Sequence, residues 1–322
     1  IPKAAADGIA LHTLGYGRTS AANGRVFGNV FNYPGNYWTA ASVAVNYLLG
    51  ENNGSLSGKK VALVYHNSAY GKEPIRVLEM LSEKHGYDFT AIPVDHPGQE
   101  QKSQWLQIRR EKPDYVLMWG WGVMNSVAIN EAANIRFPME NFIGVWWSGS
   151  ENDVMPAGMR ADGYKSLAMH ATGSTFGIYD ELKTHVWDKG KTAGAGDQIG
   201  SVLYNRALYI AYLTHMGIKK AQEVTGVADI SQADMIKGME ALEVTDEMMA
   251  SAGLAGFAPS FKVSCEDHGG SGLGALQQWD ATAKTWSMIT GFIEPDMEMI
   301  TPLIEEDSEA FAKENNISMR CS

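Results

Sequence analysis

Between residues 59 and 150, apolar runs too short for helices alternate with helix-length stretches, and few folds accommodate that alternation. VALVY (61–65) is the first run, followed by the loop HNSAYG (66–71) and a helix-like stretch over 73–84. FTAIPV (89–94) predicts a second strand and 100–110 a second helix. YVLMW (115–119) leaves through GWGVMN (120–125) into a third helix ending near residue 135. NFIGVWW (141–147) closes the unit. Strand–helix alternation over short loops predicts a parallel sheet covered on both faces. Ligands of such sheets bind beyond the carboxyl ends of the strands. Here those ends carry Tyr70, Trp119, Trp121, Trp146 and Trp147, an arrangement that points to a small-molecule site.

The bulk properties narrow the class. At 322 residues the chain is long enough for two domains and a large core. A formal net charge of −11 argues against nucleic acid and anionic membrane as partners, since both are held by basic patches. No run of about 18 apolar residues is present, so no membrane-spanning helix is expected. No signal peptide is visible and the first residue is Ile1, which reads as a processed or truncated end.

Two cysteines are present, Cys265 in a loop rich in Gly and Asp and Cys321 near the end of an acidic tail. They are either unrelated thiols or a disulfide that ties the tail to the body. A bridge would imply an oxidising compartment such as a periplasm. In the chain-entropy picture, closing a loop of that length stabilises by about 4–5 kcal/mol.

Outside the alternating unit, GIALHT (8–13) predicts a strand that leaves through LGYGRTS (14–20). Residues 37–49 read as a helix and 50–58 as a polar linker. YKSLAMH (164–170) is a further strand, with helices over 178–189, 201–216 and 232–242. FKVS (261–264), LQQW (276–279) and WSMIT (286–290) are late strands, and 305–315 is an exposed terminal helix.

Catalytic chemistry finds no support. The serine of WSG (147–149) lacks the glycine two residues before it that a nucleophile elbow needs. The 8 histidines are scattered without metal-ligand spacing. GWGVMN places bulky Trp121 where a dinucleotide loop needs close backbone approach. No enzyme activity and no cofactor are expected.

Taken in order, the segments GIALHTLGYGRTS, KKVALVYHNSAYGKE, KPDYVLMWGWGVMN, NFIGVWWSGS, VLYNRA and GLGALQQWD resemble the branched-chain amino acid (Leu/Ile/Val-binding) group of type I periplasmic binding proteins, the substrate-binding proteins of ABC importers. The resemblance implies an α/β fold of two doubly wound lobes joined by a hinge. Residues 1–45 would be part of lobe 1, 55–170 lobe 2 and 171–255 the return to lobe 1. Residues 256–294 would hold the hinge and the final strands of lobe 2, and 295–322 a C-terminal extension. Family members carry a longer leading segment before GIALHTLG, so the N-terminal part of lobe 1 is expected to be missing from this chain.

By the same resemblance the 14–20 loop would hold a ligand carboxylate through backbone N–H groups around Gly15, Tyr16 and Gly17, through the Thr19 hydroxyl and through an Arg18 clamp. Tyr70 and one tryptophan of each pair, Trp119 or Trp121 and Trp146 or Trp147, would wall the cleft, the other of each pair facing the core. Tyr204 matches a cleft position, with Asn205 and Arg206 beside it as secondary candidates. Leu/Ile/Val binders place an acid near Trp146 for the ligand ammonium; here the nearest is Glu151, which makes amine-free aromatic or aliphatic carboxylates plausible ligands beside apolar amino acids. The implied protein is a periplasmic monomer that delivers its ligand to a membrane permease. The alternative is a ligand-sensing domain of a regulator or receptor with the same fold.

Overall fold

A computed structural model describes residues 1–194 and 196–321. The chain first lays down β1 (Leu11–His12) and β2 (Val30–Phe31), a short parallel pair. The alternating stretch then supplies β3 (Lys60–His66), β4 (Asp88–Val94), β5 (Tyr115–Trp119) and β6 (Phe142–Gly144), followed by β7 (Lys165–Ala168), all paired in parallel. β8 (Glu243–Val244) and β9 (Phe261–Lys262) form a separate antiparallel pair. β10 (Ala275–Asp280) and β11 (Thr285–Met288) return antiparallel, β10 on β7, which completes the order β11-β10-β7-β6-β5-β3-β4.

Successive side chains on these strands enter different cores, as a sheet covered on both faces requires. Val61, Leu63 and Tyr65 of β3 pack with Leu117 and Trp119 of β5 against the helix Tyr37–Glu51. Ala62 and Val64 pack with Val116 and Met118 against Trp105 and Ile129 on the opposite face. The helix Tyr37–Glu51 is fixed at its start by Asn36, whose side chain accepts from the Trp38 and Thr39 N–H groups while the Thr39 hydroxyl accepts from the Asn36 N–H. That reciprocal cap sets the positions of Tyr37 and Trp38.

Several elements differ from the sequence expectation for physical reasons. The expected strand over 141–147 stops at Gly144, and Trp146–Ser148 is a tight helical turn. The loop after β3 contains the one-turn helix Ala69–Lys72, whose N-cap Ser68 accepts from the Gly71 N–H. The helix expected over 201–216 runs as Val202–Thr225 and ends at Gly226 in the left-handed conformation. Gly217 does not break it, because this glycine admits the helix Gln232–Glu240: a Cβ there would lie 3.1 Å from Met235 Cε. The terminal helix, Met297–Asn315, is longer than expected and buries Ile300, Leu303, Ile304, Ser308 and Ala312.

Cys265 and Cys321 are bridged. The bond holds the end of the chain to the loop after β9, where Arg320 donates to Glu240 at 2.7 Å and through its backbone N–H to Arg25 O at 2.9 Å. Replacing both cysteines by serine is expected to lower stability by about 2–4 kcal/mol, read as a shift in the urea midpoint at unchanged slope. Equal midpoints for the variant and the parent would refute the stabilising role.

Candidate functional site

Three strand exits and one loop meet at a single place. β3 leads into the one-turn helix that carries Tyr70, β5 into Gly120 and Trp121, and β6 into the Trp146–Ser148 turn. The loop between β1 and β2 brings Tyr16 across to them. Tyr16 lies 6.4 Å from Tyr70, 6.2 Å from Trp121 and 5.9 Å from Trp147, measured between ring centroids. Trp121 and Trp147 are 5.6 Å apart, and Tyr70 and Trp121 6.3 Å. Tyr16 and Trp121 remain about half exposed, at 50% and 48%, so the cluster opens to solvent.

The Tyr16 loop is shaped by its glycines. Gly15 sits at φ 76°, and a Cβ there would come within 2.5 Å of Met169 Cε and 3.0 Å of Trp146. Only glycine lets the loop approach that closely. Its backbone N–H groups have partners within the chain: Gly15 donates to Asn32 O, Tyr16 to Thr13 O and Thr19 to the Glu73 carboxylate at 3.2 Å.

The rest of the cluster is held from below. The Tyr70 hydroxyl donates to Gly120 O at 2.9 Å, and Trp147 Nε1 donates to the Tyr37 hydroxyl at 2.9 Å. Tyr37 stacks on Trp146 at 5.7 Å and meets Tyr70 edge-on at 5.2 Å. Trp38 Nε1 donates to the Glu73 carbonyl at 2.9 Å. Beside the cluster opens a cavity of about 630 Å³ lined by Tyr16, Gly17, Arg18, Trp38, Tyr70, Glu73 and Asp307. That volume lies within the range of small-molecule pockets. Burial pushes the Glu73 carboxyl above its ordinary range, against the Thr19 hydrogen bond.

The structure separates the two tryptophans of each pair. Trp119 is fully buried at the end of β5 and packs in the core. Trp121 does not share its direction, because the strand ends at Trp119 and the chain turns through Gly122 at φ 58°. Trp146 is buried on Tyr37, while Trp147 joins the open cluster. Thr19 is buried. Arg18, expected at a ligand carboxylate, meets a carboxylate of the chain itself: Nε and Nη2 donate to Asp307 at 3.0 and 2.5 Å. Its guanidinium also lies 4.7 Å from the Phe311 ring. Glu151, expected to await an ammonium, accepts from the Val202 N–H at 3.1 Å and so satisfies a free donor at a helix start. Tyr204 stands apart from the cluster, stacked on Tyr179 at 6.1 Å and lining a different cavity of about 460 Å³ with Trp187 and Ile199.

Tyr37, Trp38, Glu73 and Asp307 were not among the expected site residues. For Tyr37 and Trp38 a signal existed, two adjacent aromatics at a helix start directly after PGN. Among the described residues, no group of three or more His, Cys, Asp or Glu side chains offers a metal site.

The cleft thus lies between the seven-stranded sheet and a second, smaller unit and is walled by aromatics. The sequence model of the periplasmic binding protein family matches residues 2–284, and the chain belongs to that family. A protein of the Pseudomonas fluorescens group, described as an ABC transporter permease, is 39% identical, with a TM-score of 0.95 over 99% of this chain and 77% of its own. The fold is also that of a branched-chain amino acid ABC transporter protein from Thermus thermophilus with bound valine (16% identity, TM-score 0.70, 92% and 75% covered). An R. palustris solute-binding protein in complex with benzoate shares it too (17% identity, TM-score 0.67, 91% and 73% covered). No curated protein matches the chain.

Two predictions follow from this geometry. Trp119→Ala is expected to cost about 3–5 kcal/mol of stability and Trp121→Ala less than about 0.5, measured by denaturant unfolding. Similar losses at both would contradict the assignment of one ring to the core and one to the cleft. The second concerns pH. The folded state binds the Glu73 proton more tightly than the unfolded chain, so Glu73 lowers stability as pH rises from the ordinary carboxylate range through its raised value. Glu73→Gln removes that slope. The variant is expected to exceed the parent in stability at neutral pH and to lose that advantage on acidification, read from urea midpoints between about pH 4 and about pH 8.

Proposed function

We propose that this chain is a periplasmic solute-binding protein that captures a small carboxylate-bearing ligand, an apolar amino acid or an aromatic or aliphatic carboxylate, and hands it to the permease of an ABC importer. The observation that carries the reading is the Tyr16, Tyr70, Trp121 and Trp147 cluster in a chain of this family. Flat apolar walls suit an apolar ligand body, and each aromatic contact contributes about 0.5–1.5 kcal/mol beyond its area. The bound valine and benzoate of the two structural relatives fall within the proposed ligand class.

Mechanically, Tyr16 belongs to the unit of β1, β2, β8 and β9, and the other three rings to the seven-stranded sheet. The helix Tyr37–Glu51 packs on the sheet face, so the proposed lobe boundary falls at 32–36 rather than at 45. Ligand held between the units favours the closed form by its differential affinity for the two states, and the permease reads that form. In this reading the protein acts as a monomer in the periplasm. Among the described residues no helix is long and apolar enough to cross a membrane.

The test is a thermal-shift and calorimetry screen with valine, leucine, benzoate and hexanoate. At about 100-fold excess over its dissociation constant, a true ligand stabilises by about 2.7 kcal/mol. Trp147→Ala and Trp121→Ala are each expected to weaken that ligand about tenfold or more. No shift with any member of the screen would overturn the proposed ligand class, and unaffected affinity in both variants would overturn the site.

A further inference from the structure

Arg206 is a buried cation that no carboxylate meets at ion-pair distance among the described residues, although Asp153 and Glu151 lie near enough to favour its charge. It lies in the first turns of the helix Val202–Thr225 and is only 3% exposed. Its Nη2 donates to Trp146 O at 3.0 Å, and its Cζ sits 4.7 Å from the Trp147 ring centroid. Nε and Nη1 have no hydrogen-bond partner among the described residues. The nearby acids are committed elsewhere. Glu151 accepts from the Val202 N–H, and Asp153 accepts from the Ser150 N–H and hydroxyl and from Asn125 Nδ2. Neither forms an ion pair with Arg206, and burial pushes both carboxyls above their ordinary range. Burial likewise lowers the guanidinium to about 10, which leaves it charged at neutral pH. A desolvated cation with free N–H groups is strongly unfavourable unless an anion meets it.

Its position gives that anion a source. Trp147, the ring Arg206 lies over, is also the ring that meets Tyr16 and Trp121 in the open cluster. One more buried donor without a partner sits on the same helix. It is the hydroxyl of Tyr209, one helical turn from Arg206. Arg18, at the rim of the cleft, is already paired with Asp307, and Lys72 also lines the rim cavity rather than the floor beside Trp147.

We infer that Arg206 is the residue that selects an anionic ligand: the ligand's carboxylate meets Nε or Nη1 beside Trp147, with the Tyr209 hydroxyl as a further free donor on the same helix. This rests on the solute-binding reading above and specifies the pole of the ligand that the cleft recognises. A planar guanidinium suits a carboxylate in a way that neither a neutral amide nor a lysine ammonium reproduces.

The experiment compares acids with their amides. Valine and valinamide, benzoate and benzamide, and hexanoate and hexanamide are titrated calorimetrically into the full chain and into its R206Q and R206K forms. The parent is expected to prefer the acid of the bound pair by on the order of 100-fold. In R206Q that preference collapses because acid binding weakens while amide binding changes little, and R206K recovers part of it. Equal weakening of acid and amide in R206Q, or a parent that does not discriminate, would overturn the inference while leaving the solute-binding reading intact. If none of the acids binds the parent, the proposed ligand class falls, and the ligand-free proteins still decide the point about Arg206. Replacing an unmet buried cation by a similar-sized apolar side chain, R206M, is expected to raise the thermal midpoint. A midpoint that falls by several degrees would show a structural arginine and overturn the inference.

Discussion

The cleft depends on the parallel pairing of β3, β5 and β6. Tyr65 lies opposite Trp119, and Met118 opposite Gly144, so the three strands stop at nearly the same level. Beyond that level each chain must turn, and each turn carries an aromatic residue. Hydrogen bonds then lock the turns together: Tyr70 on Gly120 O, Ser148 on the same carbonyl, and Asn125 on Trp147 O. One carbonyl, Gly120 O, thus ties the exits of β3 and β6 to that of β5. The rings are therefore presented by a rigid edge rather than by three independent loops, which lowers the ordering cost of holding a ligand.

The alternating unit and its parallel sheet were legible because compact apolar runs, helix-length stretches and short loops leave a strong pattern between residues 59 and 150. The local geometry at the tryptophans was not. In an extended chain Trp119 and Trp121 would point the same way, but the strand ends between them, and an apolar run carries no mark of its last residue. The same holds for NFIGVWW, where the turn at Trp146 is set by tertiary packing on Tyr37 rather than by a local breaker. Arg18 and Glu151 show a different limit. Their charges were visible, but the partners that occupy them, Asp307 and the Val202 N–H, lie 289 and 51 residues away in sequence. Glu73 was passed over because it reads as the first residue of a surface helix.

The C-terminal helix explains why Arg18 is occupied. Met297–Asn315 lies across the mouth of the cleft, with Asp307 on Arg18, Glu306 on Arg76 and Asp296, just before the helix, on Lys84. These pairs are partly exposed and each is worth little by itself. The firmer attachment is packing: Phe311 stacks on Phe27 at 4.9 Å, Ser308 accepts from buried Asn23 at 2.7 Å, and the disulfide fixes the chain beyond. The helix touches both the Tyr16 loop side and the helix Ile75–His85 on the sheet side. It thereby replaces a ligand-facing role for Arg18 with an internal one.

That substitution shifts the electrostatics of the cleft from its rim to its floor. At the rim, Arg18 and Asp307 neutralise each other in a half-exposed pair. Deeper in, burial raises the Glu73 carboxyl above its ordinary range, so its charge is held at a cost that the Thr19 hydrogen bond only partly offsets. Burial also raises the Glu151 and Asp153 carboxyls, against their hydrogen bonds and the nearby Arg206. Arg206 keeps its charge, because an arginine pushed down to about 10 is still a cation at neutral pH. Arg206, charged and without a carboxylate at ion-pair distance, places fixed positive charge beside Trp147 in a chain whose net charge is −11. The long-range field of the protein repels anions, whereas the short-range field at the aromatic cluster attracts them. Desolvation favours the second, since the low dielectric that raises the cost of burying Arg206 also strengthens its attraction for any carboxylate that reaches it.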